Sequence, residues 1–183
     1  FVVLNRNSVE GWFTLLLKKR IVDVHVYQSA EPYLQQITPA AWSWNGISSN
    51  VAFISIQGGT DTGVSTRIRI QAVDLDTDEF TAYCTNCVTI LGRTVPSFYG
   101  TWAYSVNIYN ITPWYSYSYH KISDTYKKKV AAHELCHSLG LRHTLSSCPD
   151  YYRSLMAPYY DLADGWYSPR THDENTLRAK YGN

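Results

Sequence analysis

The chain has 183 residues, a length that fits one domain with a sizeable hydrophobic core. Its 16 lysines and arginines nearly balance its 15 aspartates and glutamates, so the charge gives no indication of binding to nucleic acid or to an acidic membrane surface. No apolar run approaches the roughly 20 residues that a membrane-spanning helix needs, and no signal peptide is visible.

The first half of the chain predicts a sheet with one helix. Residues 1–19 contain Asn, Ser and Gly and predict an irregular arm. Strands are predicted where β-branched residues cluster or alternate with polar ones, at 21–27, 51–56 and 66–73. Residues 31–44 carry apolar side chains at helical spacing and predict a helix, although Pro39 within it is unfavourable for a helix interior.

Acidic residues follow the third predicted strand, and another acidic residue lies in the loop before it. Carboxylate oxygens are the ligands that calcium prefers, so the cluster is a candidate for that ion. Acidic turns are also commonly solvated without any ion, and calcium therefore stays open. The residues concerned are Asp61, Asp74, Asp76, Asp78 and Glu79.

The most specific pattern ends a helix predicted over residues 123–139, which has a serine N-cap. His133 and His137 are one turn apart, about 6 Å, so both imidazoles lie on one face and can share a metal ion. Gly140 ends the helix and lets the chain turn back, which brings His143 in as a third ligand. Three protein ligands with one open position are typical of catalytic zinc.

Two further residues complete the expected metal site. Glu134 is adjacent to the first ligand and can act as general base on a water held by zinc. The single methionine, Met156, follows the third histidine and predicts a Met turn, a hydrophobic floor beneath the metal that is not itself a ligand. Two surface histidines on an ordinary helix are the alternative, but Gly140 and His143 stand at the fixed offsets of the longer motif.

The four cysteines form two local sets. Cys84 and Cys87 make one C-x-x-C, which alone is half of a structural zinc site and lacks the surroundings of a redox motif. Cys136 lies within the zinc helix and Cys148 follows His143. We predict the disulfides Cys84–Cys87 and Cys136–Cys148 and hence an oxidising compartment; the alternative is four reduced cysteines in a cytosolic protein.

These motifs resemble the metzincin zinc endopeptidases, and among them the matrixin catalytic domains. The zinc helix carries the resemblance, together with the passage from Leu155 to Tyr160, the tail 168–182 and, more weakly, Phe1–Leu4 followed by Arg20–Ile21. The resemblance implies an α+β fold with a twisted mixed sheet, a long active-site helix and a small C-terminal part ending in a helix. It implies one domain over 1–183, divided into about 1–140 and 141–183.

The resemblance also implies the chemistry. It implies a secreted, monomeric endopeptidase that hydrolyses internal bonds of extended polypeptides with one catalytic zinc held by His133, His137 and His143. Pro158 and Tyr160 would form the wall of a pocket for an apolar or aromatic side chain. No counterpart of the second zinc site of matrixins is present, since His25 is the only histidine before His120. Thr144 and Cys136 depart from the usual matrixin pattern.

The aromatic-rich segment 99–119 has two interpretations. It contains a strand candidate at 103–111 and a strict Ser/Tyr alternation at 115–119. By the resemblance, part of this segment would be an edge strand on the rim of the cleft, where an extended peptide adds backbone hydrogen bonds. The alternative is an aromatic core with an exposed face.

Two other functions compete with the endopeptidase. One is a catalytically idle binding module of the same fold, which the presence of Glu134 argues against. The other is a zinc hydrolase of a small amide; an aminopeptidase is disfavoured because no acidic anchor for a substrate amine stands out.

Overall fold

The computed structural model describes residues 20–60, 67–90, 93–96, 104–157 and 165–183. The strands in these ranges are β1 (Arg20–Tyr27), β2 (Val51–Gly59), β3 (Ile68–Val73), β4 (Ala82–Ile90), β5 (Arg93–Pro96) and β6 (Tyr104–Asn110). The helices are α1 (Leu34–Trp42), α2 (Asp124–Ser138) and α3 (Thr171–Tyr181), with short 3-10 helices at Gln28–Tyr33 and Tyr151–Arg153.

The six strands form one mixed sheet in the order β2-β1-β3-β6-β4-β5. The first four strands in this order are parallel to one another, whereas β4 is antiparallel to both β6 and β5. The mixed sheet, the long helix α2 and the closing helix α3 confirm the predicted fold class. The predicted arm at 1–19 lies outside the described residues.

Helices α1 and α2 contact each other, and α2 also contacts β4 and β6. Along β3, Ile68, Ile70 and Ala72 are buried in strict alternation, as a half-buried strand requires. Trp44, fully buried just after α1, donates its indole N–H to the backbone oxygen of Ala132 on α2 at 3.0 Å. This bond fixes α2 in the core, so the position of the metal-binding motif is set by the packed sheet and α1.

Helix α3 closes the end of α2. The last carbonyl groups of a helix lack partners within it and need donors from elsewhere. Tyr181 Oη donates to the backbone oxygen of Leu139 and Lys180 Nζ to that of Gly140, each at 2.7 Å. The C-terminal segment therefore stabilises the turn that follows the zinc-motif helix.

The prediction that 99–119 supplies an edge strand is wrong for its described part. Strand β6 lies inside the sheet, between β3 and β4, because its own edges pair with both neighbours. Residues 115–119 form turns, not a strand. Tyr109 and Tyr119 are buried and stacked at 4.2 Å, whereas Trp114 and Tyr117 are exposed. The alternative of an aromatic core with an exposed face is the one observed.

Candidate metal centre

Helix α2 has a defined beginning and end. The Ser123 side chain accepts a hydrogen bond from the backbone N–H of Tyr126, as predicted for the N-cap. At the other end Gly140 has φ +76°, with its N–H bonded to the oxygen of His137 at 2.8 Å. The N–H of Leu141 bonds to the oxygen of Cys136 at 3.2 Å. This pair of bonds is a Schellman turn, which reverses the chain immediately after the second histidine.

The turn brings the three predicted ligands together. The Nε2 atom of His137 lies 3.0 Å from that of His133 and 3.1 Å from that of His143, and the remaining Nε2 pair is also 3.1 Å apart. Nitrogens bound to one tetrahedral zinc at about 2.0–2.1 Å stand roughly 3.3 Å apart. Within the described ranges, this triad is the only group of three or more His, Cys, Asp or Glu side chains that converges in this way.

The opposite ring nitrogens of two ligands are held by backbone oxygens. His133 Nδ1 lies 2.7 Å from the oxygen of Leu155, and His137 Nδ1 lies 2.8 Å from the oxygen of Leu141. A carbonyl can only accept, so each Nδ1 carries the proton and each Nε2 directs a lone pair at the common centre. Lone pairs converging at this spacing repel one another unless a cation lies between them, and the donor set therefore fits zinc.

Electrostatics keep the histidines in the form that binds metal. Burial lowers the pKa of His133 well below its usual value, and the neighbouring His137 lowers it further. Burial also lowers the pKa of His137, to about 4, and that of His143. A cationic imidazole cannot ligate a metal, so these shifts maintain neutral ligands under mildly acidic conditions.

Glu134 lies beside the first ligand and is 6% exposed. Burial raises the pKa of its carboxyl to about 8. Its Oε2 atom is buried and hydrogen-bonds to none of the described residues. A carboxylate in this environment is a stronger base than one in water, which is the property that a general base needs.

The segment predicted as a Met turn is hydrogen-bonded to the chain just after the third histidine. Met156 is 2% exposed and its backbone oxygen accepts from the N–H of Thr144, directly after the third histidine, at 2.9 Å. This bond brings the backbone of Met156 next to the residue that follows His143. Its role as a hydrophobic floor remains a prediction.

Asp173 is a residue of the site whose role the sequence did not indicate. Its buried carboxylate accepts from Ser154 Oγ at 2.6 Å and from the backbone N–H groups of Leu155 and Arg170, both at 2.9 Å. It therefore links the Met turn to the first turn of α3.

The two predicted disulfides are absent, because all four cysteines are free. Cys84 and Cys87 lie three apart on β4, and side chains at that spacing point to opposite faces of a strand. Cys136 is fully buried on α2. Cys148 instead has its sulfur 3.8 Å from His172 Nδ1. Neither predicted bridge is formed in this structure.

Other predicted site residues are not brought to the triad. Asp74 accepts from Thr112 Oγ1 and from the N–H of Asp76, and Asp76 accepts from Trp114 Nε1, so these carboxylates hold a turn. Asp61 and the predicted pocket residues Pro158 and Tyr160 lie outside the described residues.

Comparison with known proteins shows which family model and which solved structures the chain resembles. A family model described as Matrixin, of the M10 peptidases, matches residues 43–182, which is more than half of the chain. Two solved structures titled as myroilysin superpose with a TM-score of 0.50. One is 12% identical and covers 87% of this chain and 78% of its own; the other is 16% identical and covers 99% and 89%. No curated protein sequence gives a significant match.

Proposed function

Because the chain belongs to the matrixin family of zinc metalloendopeptidases, we propose that Glu134 is its general base and that His133, His137 and His143 hold the catalytic zinc. The observation that carries this proposal is the convergence of three neutral Nε2 atoms within 3.1 Å of one another, next to a buried carboxylate. A purely structural zinc site needs no such carboxylate. The observation therefore favours an enzyme over an idle binding module.

The proposed roles of the protein groups follow from their positions. When bound, zinc would supply a Lewis acid that activates water and polarises the scissile carbonyl. Glu134 takes a proton from the attacking water and then delivers it to the leaving amine. The backbone oxygens of Leu155 and Leu141 keep the rings of His133 and His137 oriented while charge develops at the centre.

A polypeptide substrate needs an extended surface beside the triad, and β4 is the outer of the two strands that contact α2. On one side β4 pairs with β6 over its Ala82–Cys87 stretch, and on the other it pairs with β5 only from Cys87 onward. Within the described chain, the outer edge of residues 82–86 is thus without a strand partner. We propose that the substrate backbone adds to this edge, which would explain acceptance of varied sequences.

The proposed site of action is outside the cell. Family membership supports it, because matrixins are typically secreted. Among the described residues, no helix is long and apolar enough to cross a membrane.

A peptide blocked at both ends tests the proposed reaction. We expect cleavage at an internal bond, loss of cleavage on chelation and recovery when zinc is added back. Blocked ends exclude an aminopeptidase, and a parallel assay on a small amide tests the other hydrolase. Cleavage that persists through complete removal of the metal would contradict the proposal.

A further inference from the structure

A row of polar side chains, buried except for the half-buried Cys84, lies between α2 and the sheet, on the side of α2 that faces β4 and β6. We call it the polar seam, and its members are Cys84, Asn107, Tyr109, Glu134 and Ser138. Asn107 Nδ2 donates to Ser138 Oγ at 3.0 Å, and the sulfur of Cys84 lies 3.4 Å from the same oxygen. These contacts fix how α2 sits on the two strands.

The register of the seam brings Tyr109 opposite Glu134. Asn107 and Tyr109 are two residues apart on β6, so they share a face and are separated by about 6.8 Å. Ser138 and Glu134 are four apart on α2 and share a face at a spacing of about 6 Å. Since Asn107 bonds to Ser138, the next position along each element pairs Tyr109 with Glu134.

A third contact confirms the direction of this register. Tyr119, whose ring stacks on that of Tyr109 at 4.2 Å, donates its hydroxyl to the backbone oxygen of Lys127 at 3.0 Å. Lys127 lies nearer the start of α2 than Glu134 does. The order along the helix is therefore Ser138, Glu134 and Lys127, facing Asn107, Tyr109 and Tyr119.

Tyr109 and Glu134 each have one polar atom whose hydrogen-bonding capacity is unsatisfied. Tyr109 Oη and Glu134 Oε2 are buried, and neither hydrogen-bonds to any described residue. Tyr109 is fully buried, and after burial the charge of Glu134 is the next cause that raises its pKa. Buried polar groups in native proteins are almost always paired, with an ordered water where no side chain reaches. One water between the two atoms would satisfy both.

We propose that Tyr109 is a positioning residue for the general base, and that its hydroxyl holds the Glu134 carboxylate through one buried water. The proposal rests on the function proposed above for Glu134. A hydrogen bond from the bridging water to Glu134 Oε2 restricts rotation of the carboxylate, so that Oε1 stays directed at the reacting water. Tyr109 itself touches neither substrate nor metal.

The test compares Tyr109→Phe with Tyr119→Phe, two deletions of a buried hydroxyl from stacked rings. We expect Tyr109→Phe to lower kcat about tenfold, because misplacing a catalytic group is costly, while KM stays within about twofold. Its urea midpoint should fall no further than that of Tyr119→Phe, since each variant loses one buried hydrogen bond. Tyr119→Phe loses a hydrogen bond to Lys127, so its urea midpoint should fall while kcat is unchanged. Equal kcat in Tyr109→Phe and wild type, or the same loss in both variants, would overturn the proposal.

A second measurement does not depend on activity. A high-resolution crystal structure of the zinc-loaded protein should contain a water within about 3.2 Å of both Tyr109 Oη and Glu134 Oε2. A dry contact surface between the two side chains would also overturn the proposal. Glu134→Gln in the same kinetic assay separates the two claims. If that variant cleaves normally, the base assignment fails; if only Tyr109→Phe cleaves normally, the present inference fails alone.

Discussion

The carboxylate of Asp173 accepts the backbone N–H of Leu155 at 2.9 Å, and the backbone oxygen of the same leucine lies 2.7 Å from Nδ1 of His133. The first turn of the C-terminal helix is thereby connected to a zinc ligand through a single residue, Leu155. Residues outside the metal coordination orient metal-binding histidines and commonly affect metal affinity as well as stability. This link suggests that the fold of the C-terminal segment and the geometry of the metal site depend on each other.

Asp173→Asn should lower both the stability of the fold and the affinity for zinc. The asparagine amide keeps one accepting oxygen, but its N–H₂ group faces donors that the second carboxylate oxygen of Asp173 had bound. We therefore expect a loss of about 2–3 kcal/mol in the free energy of unfolding. Zinc affinity should fall roughly tenfold or more. The neighbouring Glu174→Gln, which removes only a half-exposed pair with Arg178, is the control and should change both quantities little. Unfolding in urea and zinc competition measure the two effects; an unchanged zinc affinity in Asp173→Asn would contradict the link.

Gly140→Ala should displace His143. Gly140 has φ +76°, and a side chain in this left-handed conformation costs about 1 kcal/mol. Relief of that strain would open the turn and weaken zinc binding. Gly46 after α1 has φ +82° and no atom within 4 Å of an added Cβ, so Gly46→Ala carries similar strain away from the metal. We expect both variants to lose stability and only Gly140→Ala to lose zinc affinity. Equal zinc affinities would refute this.

The metal-free protein should show a pH dependence that belongs to Glu134. Burial raises the pKa of this carboxyl to about 8 from a usual value of 4.5. The folded state therefore holds a proton that the unfolded state has lost, and the contribution to stability falls as the pH rises through this window. Glutamine cannot lose a proton. Relative to chelated Glu134→Gln, the chelated wild type should be less stable at about pH 8.5 than at about pH 5.

The control for this measurement is built into the comparison. The three histidines, whose pKa values are lowered mainly by burial, contribute stability above their unfolded pKa that is lost as the pH falls. That effect has the opposite sign and is common to both proteins, so it cancels in the difference. A difference in unfolding free energy that does not vary with pH would contradict the assignment.

The cysteines should behave as thiols. With all four free, thiol titration of the unfolded protein should give the same count before and after reduction. A reducing agent should leave the urea midpoint unchanged. An increase in titratable thiols after reduction would indicate a bridge and would restore the sequence-based prediction.

The metal site could be predicted from sequence because its ligands are local. His133 and His137 lie one helical turn apart, Gly140 marks the end of the helix, and His143 follows within the reversing turn, so spacing alone determines their proximity. Asp173 could not be found in this way, since its partners at Ser154 and Leu155 become neighbours only when α3 packs on the Met turn.

The order of the strands in the sheet could not be predicted from the sequence either. Alternation in β6 indicates a strand but not its neighbours, and the placement of β4 on the outer side of β6 is a long-range pairing. Likewise, the disulfide predicted between Cys84 and Cys87 does not form, because both residues lie along the extended strand β4. The edge strand predicted within 99–119 is contradicted for its described part, because β6 is paired on both sides.

The central claim is that this chain cleaves peptide bonds with zinc and with Glu134 as base. It is tested most directly by zinc-loaded Glu134→Gln, with bound zinc and peptide cleavage measured on the same sample. We predict one zinc per chain, as in the wild type, and a loss of cleavage rate of about 100-fold or more. A variant that retains its zinc and cleaves the peptide at the wild-type rate would contradict the account.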